Sequence, residues 1–367
     1  MFLVICLTVV LAAGCGSSDD DTTGAETQVS SEAEKAPEMV GPKGEPAEAG
    51  SAVDLSESEI EKLKAGDYTA AFVWHTTDTF TKGVEIAARE RLSELGIKVV
   101  ANTVADFDPA KQRSDLQTVQ ALKPDVIVTL PVDPASSASM YREAAKAGSK
   151  LVFISNIPEG FVHNKDYVGV VTTNVVDAAK RSATLLGEEL EGEGKIGMLY
   201  YDAEFFIVNQ WDEAFERTLG ERYPEIDVVD KVGFVDPAKA NEPASAMLTR
   251  NPELDGIYVS WQDPAVGVLT ALRAAGRTDV AVTDLGMNET TALDLAKEGS
   301  FIGAGVDGPF VMGQALANEV GFAALGKEAP AFIATGSSLI TRDNLAEEWP
   351  EVYGVPAPAS VLEGLGQ

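Results

Sequence analysis

From residue 67 onward the chain alternates between short apolar runs and helical stretches, and this alternation limits the available folds more than any other feature. Strands are expected over residues 68–75, 98–104, 125–130 and 150–155. Helices are expected over 83–95, 109–122 and 135–147. The pattern resumes after Asn174, with helices over 175–190, 208–219, 237–249, 264–275, 290–297 and 309–325. The strands between them fall over 195–200, 226–232, 256–260, 280–283 and 301–306. Near-continuous apolar strands separated by helices call for parallel sheets covered on both faces. A chain of 367 residues is long enough for two such lobes, each of about five or six strands.

The helix starts are sharply written. Asp-Pro occurs at Asp108-Pro109, Asp133-Pro134, Asp236-Pro237 and Asp263-Pro264. An Asp at the cap accepts from free first-turn N–H groups, and Pro at the next position gives up a donor that would have no partner. These Asp residues are expected to cap. One at the carboxyl end of a strand also stands where open α/β sheets hold their ligands.

The N-terminus reads differently. Residues 1–14 are apolar except for Thr8 and Gly14, too short a run for a bilayer span and suited to a secretory signal. Leu11-Ala12-Ala13-Gly14-Cys15 resembles a bacterial lipobox, in which the Cys receives the lipid. No Lys or Arg precedes the run, and the first is Lys35. An amphiphilic tail or a buried strand is the alternative reading. Residues 16–51 hold nine acids against two lysines and no aromatic ring, so a solvated tether is expected. A short helix over 56–64 follows it.

Charge and composition exclude several functions. There are 58 acidic and 28 basic residues, a net charge of −30, which disfavours nucleic acid and a basic hold on anionic lipid. Two His and two Cys leave no His-rich metal site, Cys-built zinc site or disulfide framework. Gly192-Glu193-Gly194-Lys195-Ile196-Gly197 spells G-x-G-x-x-G, but it precedes a strand and does not open a helix. No P-loop and no G-x-S-x-G elbow occurs. No catalytic set, metal or cofactor is therefore expected. Paired carboxylates would meet only in the fold. What remains is a cleft with aromatic, amide and acidic residues at strand ends. Trp74, Phe80, Phe206, Trp211 and Trp261 fall there, with His75 and Asp133 beside them. Each ring either stacks on the flat face of a sugar or packs in the core.

Several segments resemble the periplasmic solute-binding proteins of ABC importers, in particular the ribose-binding-like type I family. Asp108-Pro109-Ala110-Lys111-Gln112 is similar to that family's N-D-P-A-K-Q. Residues 125–133, Asp-Val-Ile-Val-Thr-Leu-Pro-Val-Asp, are similar to its D-x-I-I-I-x-P-x-D. Residues 144–154, 251–258 and 267–272 resemble further family segments. The resemblance implies an α/β fold of two Rossmann-like lobes with parallel sheets, joined by a three-segment hinge crossing near residues 171–174, 307 and 334–337. Outside the stretch of resemblance, residues 1–14 are expected to form the signal, 15–66 a tether with a short helix, and 353–367 a tail. The first lobe would hold 67–172 with 308–334, and the second 173–307 with 335–352.

Ligand positions carry over singly. The family's first-loop N-N-P-F-F falls on residues 76–80, which keeps Phe80 and places Asp78 there. Its D-R pair falls on Ser155-Asn156, a second Arg on Asn209, and its N-D pair on Trp261-Gln262. The remaining positions fall on Asp284 and Asp307. Loss of both Arg positions argues against ribose and against anionic sugars, and leaves a small neutral sugar or polyol. The implied protein is a monomer that binds no cofactor and closes on its ligand by hinge motion. It would deliver that ligand to ABC permease subunits, and only the lipid on Cys15 would hold it to the outer face of the cytoplasmic membrane. A nucleoside-binding lipoprotein and a sugar sensor signalling to a membrane receptor are the alternatives.

Overall fold

The computed structural model describes residues 38–203 and 205–367. Cys15 lies outside the described residues. Each apolar run becomes a strand sealed by helices. The chain opens with β1 (Glu48–Ala49) and α1 (Glu57–Ala65). It continues through β2 (Thr69–Trp74), α2 (Thr79–Glu94), β3 (Lys98–Val104), α3 (Pro109–Gln120) and β4 (Val126–Thr129). Next come α4 (Pro134–Lys146), β5 (Lys150–Ile154) and β6 (Gly169–Thr173). A second series follows: α5 (Val175–Glu189), β7 (Glu193–Tyr201), α6 (Phe206–Arg222), β8 (Glu225–Phe234) and α7 (Asn241–Arg250). It runs on through β9 (Gly256–Val259), α8 (Gln262–Ala275), β10 (Ala281–Asp284), α9 (Glu289–Ala296) and β11 (Phe301–Asp307). The last elements are α10 (Pro309–Leu325), β12 (Phe332–Thr335), β13 (Ser337–Ile340), α11 (Leu345–Tyr353) and α12 (Ala359–Gly364).

The strands form two sheets, and each sheet with its covering helices is called a lobe below. The first has seven strands in the order β1-β12-β6-β5-β4-β2-β3, all paired in parallel. The second has six, β13-β11-β10-β9-β7-β8, parallel except for the edge pair β11–β13. Every residue of β4, β6, β9, β10 and β12 is buried, as a doubly covered sheet requires. The chain passes between sheets after β6, β11 and β12, the three places expected for the hinge. Because the strands are parallel, their carboxyl ends gather at one edge of each sheet.

Three Asp-Pro pairs cap as expected. Asp108 accepts from Ala110 and Lys111, Asp133 from Ala135 and Ser136, and Asp236 from Ala238. Asp263 does not. Its helix begins at Gln262 after an extended Trp261, so Asp263 falls inside the first turn and accepts from Asn288 instead. The expected tether also ends earlier. From Glu38 the chain packs on the folded body: β1 extends the first sheet, and Met39, Ala47 and Val53 are buried. Val40 stays exposed, but the other three anchor the acidic stretch, which a count of charges does not show. Gln210 Nε2 of α6 donates to the Val40 carbonyl at 3.0 Å, and Lys180 of α5 pairs with Glu38. The segment thus touches both lobes. The expected tail is likewise packed, with Val361 of α12 fully buried and Gly364 against Leu293 and Ala296 of α9. Among the described residues, no helix is long and apolar enough to cross a membrane.

Candidate functional site

A cavity of about 80 Å³ lies where the carboxyl ends of the two sheets meet. The first lobe lines it with residues that follow its strands: His75, Asp78 and Phe80 after β2, Phe107 after β3, Leu130 after β4, and Ser155 after β5. Thr172 and Thr173 end β6. The second lobe supplies Tyr201 and Phe205 around the end of β7, Trp211 from α6, Trp261 and Gln262 after β9, Leu285 after β10, and Asp307 ending β11.

Local folding places these groups. Asp78 caps α2, accepting from Thr81 N at 2.7 Å and Thr81 Oγ1 at 2.9 Å. That bond starts the helix four residues earlier than its apolar spacing suggests, and it brings Phe80 to the cavity. Asp106, Phe107 and Ser155 adopt left-handed backbone with φ of 53°, 59° and 58°. Such a conformation costs a bulky residue about 1–3 kcal/mol and persists only where the surroundings hold it. Here Phe107 N donates to the His75 carbonyl at 2.8 Å, and the two rings meet edge to face at 5.3 Å. Buried Gln112 braces the next loop, donating to the Leu130 carbonyl and accepting from Val132 N. On the other side Trp261 packs against Tyr201 and Phe234 at 5.2 and 5.1 Å.

Four polar atoms on the cavity wall are buried without a hydrogen-bond partner among the described residues: His75 Nδ1, Thr173 Oγ1, Trp211 Nε1 and Asp307 Oδ1. Leaving a buried polar group unpaired costs about 1–3 kcal/mol, so such a cluster marks a place built for something else. Burial lowers the His75 imidazole to about 4, which keeps it neutral at pH 7. Burial, then the charge of Asp78, raises the Asp307 carboxyl to about 7. Burial also raises Asp78. Behind the wall, burial and then Asp78 raise Asp263 to about 6. Asp284 is pushed well up by burial, with Asp263 and Asp307 adding to it.

Of the residues expected at the site, His75, Asp78, Phe80, Trp261, Gln262 and Asp307 line the cavity. Six others do not. Trp74 shares a strand face with Phe72, and the rings stack at 5.5 Å inside the core. Asp133 spends its oxygens on the α4 cap and on Ser136 Oγ at 2.6 Å. Asn156 is buried and accepts from Ile207 N at 3.3 Å, a bond that links the lobes beside the cavity. Phe206 yields its place to Phe205. Asn209 is exposed, because the face of α6 that carries Ile207, Val208 and Trp211 turns inward. Asp284 lies buried behind Leu285, and neither carboxylate oxygen has a partner. Phe107, Thr173, Tyr201 and Phe205 were not anticipated. Phe107 stands just past a strand end, so the rule that found His75 would have found it. Thr173 ends a strand that the sequence reading passed over.

A family model described as a periplasmic binding protein domain matches residues 70–328. A xylitol-binding protein of Mycolicibacterium smegmatis is 25% identical over 209 residues, covering 56% of this chain and 58% of that protein. A D-ribose/D-allose-binding protein of Pseudomonas aeruginosa is 27% identical over 192 residues, covering 49% of this chain and 57% of the other. The chain thus spans under three fifths of the length of these relatives. An ABC transporter solute-binding protein from Agrobacterium vitis, solved with α-D-tagatopyranose, superposes with a TM-score of 0.71 at 21% identity. That match covers 80% of this chain and all of the other, and at such identity it is a likeness of fold. With two parallel-dominated sheets, three crossings and a cavity between them, the chain belongs to the periplasmic binding protein family, a family of binding proteins and not of enzymes, and has its type I fold.

Proposed function

We propose that this chain is the solute-binding component of an ABC importer that closes on one small sugar or polyol and presents it to a membrane permease. In this reading Cys15 carries the lipid that keeps the protein on the outer face of the cytoplasmic membrane. The observation that carries the ligand class is the set of four unpartnered polar atoms on a wall rich in aromatic rings. A hydroxyl donates and accepts at once, so a polyhydroxylated ring answers Trp211 Nε1 and Asp307 Oδ1 alike. Its C–H faces suit Phe80 and Trp261. The absence of Lys and Arg from the described lining residues disfavours an anionic ligand. The relatives' ligands, xylitol and D-ribose or D-allose, belong to the same class.

The test is a thermal-shift screen of the purified protein against pentoses, hexoses, polyols, inositols and nucleosides. A ligand at 100 times its Kd adds about 2.7 kcal/mol, a shift of several degrees for a chain of this size. A shift with a sugar or polyol supports the reading. A shift with nucleosides alone, or none from a folded sample, overturns it. Incorporation of a labelled fatty acid, abolished by Cys15→Ser, tests the anchor.

A further inference from the structure

The cavity holds negative charge without a counter-charge. Asp78 and Asp307 both line it, and among the described residues no Lys or Arg does. The charge of Asp78 bears on Asp307, and it also reaches Asp263 behind the wall. Among the described residues, Lys82, exposed on α2, is the cation that bears on Asp78. His75 on the same wall is 7% exposed and neutral. Six rings, Phe80, Phe107, Tyr201, Phe205, Trp211 and Trp261, also line it. Among the described residues no three His, Cys, Asp or Glu side chains are placed to chelate a metal ion. The buried, unpartnered Asp307 Oδ1 therefore asks for an organic donor, and the surrounding field favours a charged one.

We propose that the ligand carries a protonated amine, so that the cargo is an amino sugar or amino polyol whose ammonium group lies against Asp78 and Asp307 within the ring of aromatic side chains. This rests on the sugar-or-polyol reading and names the substrate class within it. A neutral sugar would leave the charge that Asp78 exerts on Asp307 without a counter-charge. An ammonium group supplies one, donates up to three charged hydrogen bonds, and is attracted by the faces of aromatic rings. An anionic sugar meets the opposite field.

The experiment is calorimetric titration of the full chain with matched pairs that differ by one group: D-glucosamine with D-glucose, D-galactosamine with D-galactose, and an inosamine with the corresponding inositol. N-acetylated hexosamines serve as uncharged amines. In at least one pair the amine should bind about tenfold or more tightly than its hydroxyl partner, the margin between a charged and a neutral hydrogen bond, and N-acetylation should abolish the advantage. Asp307→Asn, checked for an unchanged melting profile, should shrink the ratio to within about threefold. Asp78→Asn provides a second variant should the first fail to fold, and the wild-type ratios need no variant at all. Binding of hydroxyl sugars as tight as or tighter than their amine partners overturns this inference and leaves the importer reading standing. Absence of binding by every member of every pair, together with silence in the thermal-shift screen, overturns both.

Discussion

Replacing His75 with Phe should alter how stability depends on pH, in a direction and by an amount the structure specifies. His75 is 7% exposed, its Nδ1 has no partner, and burial lowers its pKa from 6.5 to about 4. Between those values the unfolded chain binds a proton at this residue that the folded chain does not. Stability therefore rises with pH across this window. The contribution is fully present above pH 6.5 and is lost as the pH falls toward 4. At about 1.36 kcal/mol per pKa unit, His75 should cost the wild type about 2.5 kcal/mol between pH 7.5 and pH 4.5. The raised carboxyls of Asp212, Asp263 and Asp307 work the other way, stabilising the fold as the pH falls, so the wild-type curve alone does not isolate the imidazole. The difference between wild type and His75→Phe does. Phe preserves the ring beside Phe107 and cannot titrate. Urea melts of both proteins, followed by tryptophan fluorescence at several pH values, should show the variant gaining about 2.5 kcal/mol on the wild type between pH 7.5 and 4.5. Curves that stay parallel within about 0.5 kcal/mol would mean that water reaches the imidazole and that His75 is not desolvated.

Three further substitutions probe other parts of the argument. Val53 is fully buried in the segment that joins β1 to α1, so Val53→Asp should cost at least about 3 kcal/mol and lower Tm by several degrees, whereas in a free tether it would change nothing. Gly286 has φ of 156°, and a Cβ there would stand 2.2 Å from Gln262 Oε1, so Gly286→Ala should cost about 1–3 kcal/mol and weaken ligand binding, as read by urea melts and calorimetry. Glu319 of α10 is fully buried beside Gly169 with both carboxylate oxygens unpartnered, and burial raises its pKa well above the ordinary value. Its contribution to stability is present below the unfolded carboxylate pKa and falls away as pH rises, so Glu319→Gln should melt higher than the wild type at pH 8 and should not at pH 4.

Part of the site was legible because it follows from chain direction alone. In a parallel sheet every strand delivers its next residue to the same edge, so His75, Trp261 and Asp307 could be placed there once the strands were recognised. Side-chain phase was less legible. Trp74 and His75 are neighbours, yet alternation along β2 sends one to the core and the other to the cavity, and the sequence does not state which face is covered by which helix. Phe205 and Phe206 differ in the same way, decided by where α6 begins. Asp133 and Asp263 look alike as Asp-Pro pairs, but only the first caps, because Trp261 is already extended and Gln262 starts the helix.

Local rules therefore determined the alternation of elements, three of the four Asp-Pro caps and the doubly covered parallel sheets, since each depends on neighbours a few residues apart. Tertiary structure alone decided the docking of residues 38–55, the loss of six expected ligand residues from the cavity wall, and the meeting of Asp78 with Asp307. Those two carboxylates lie 229 positions apart in the sequence. The charge of Asp78 bears on Asp307, with no cation beside them among the described residues, only where two lobes bring distant strand ends into one low-dielectric space.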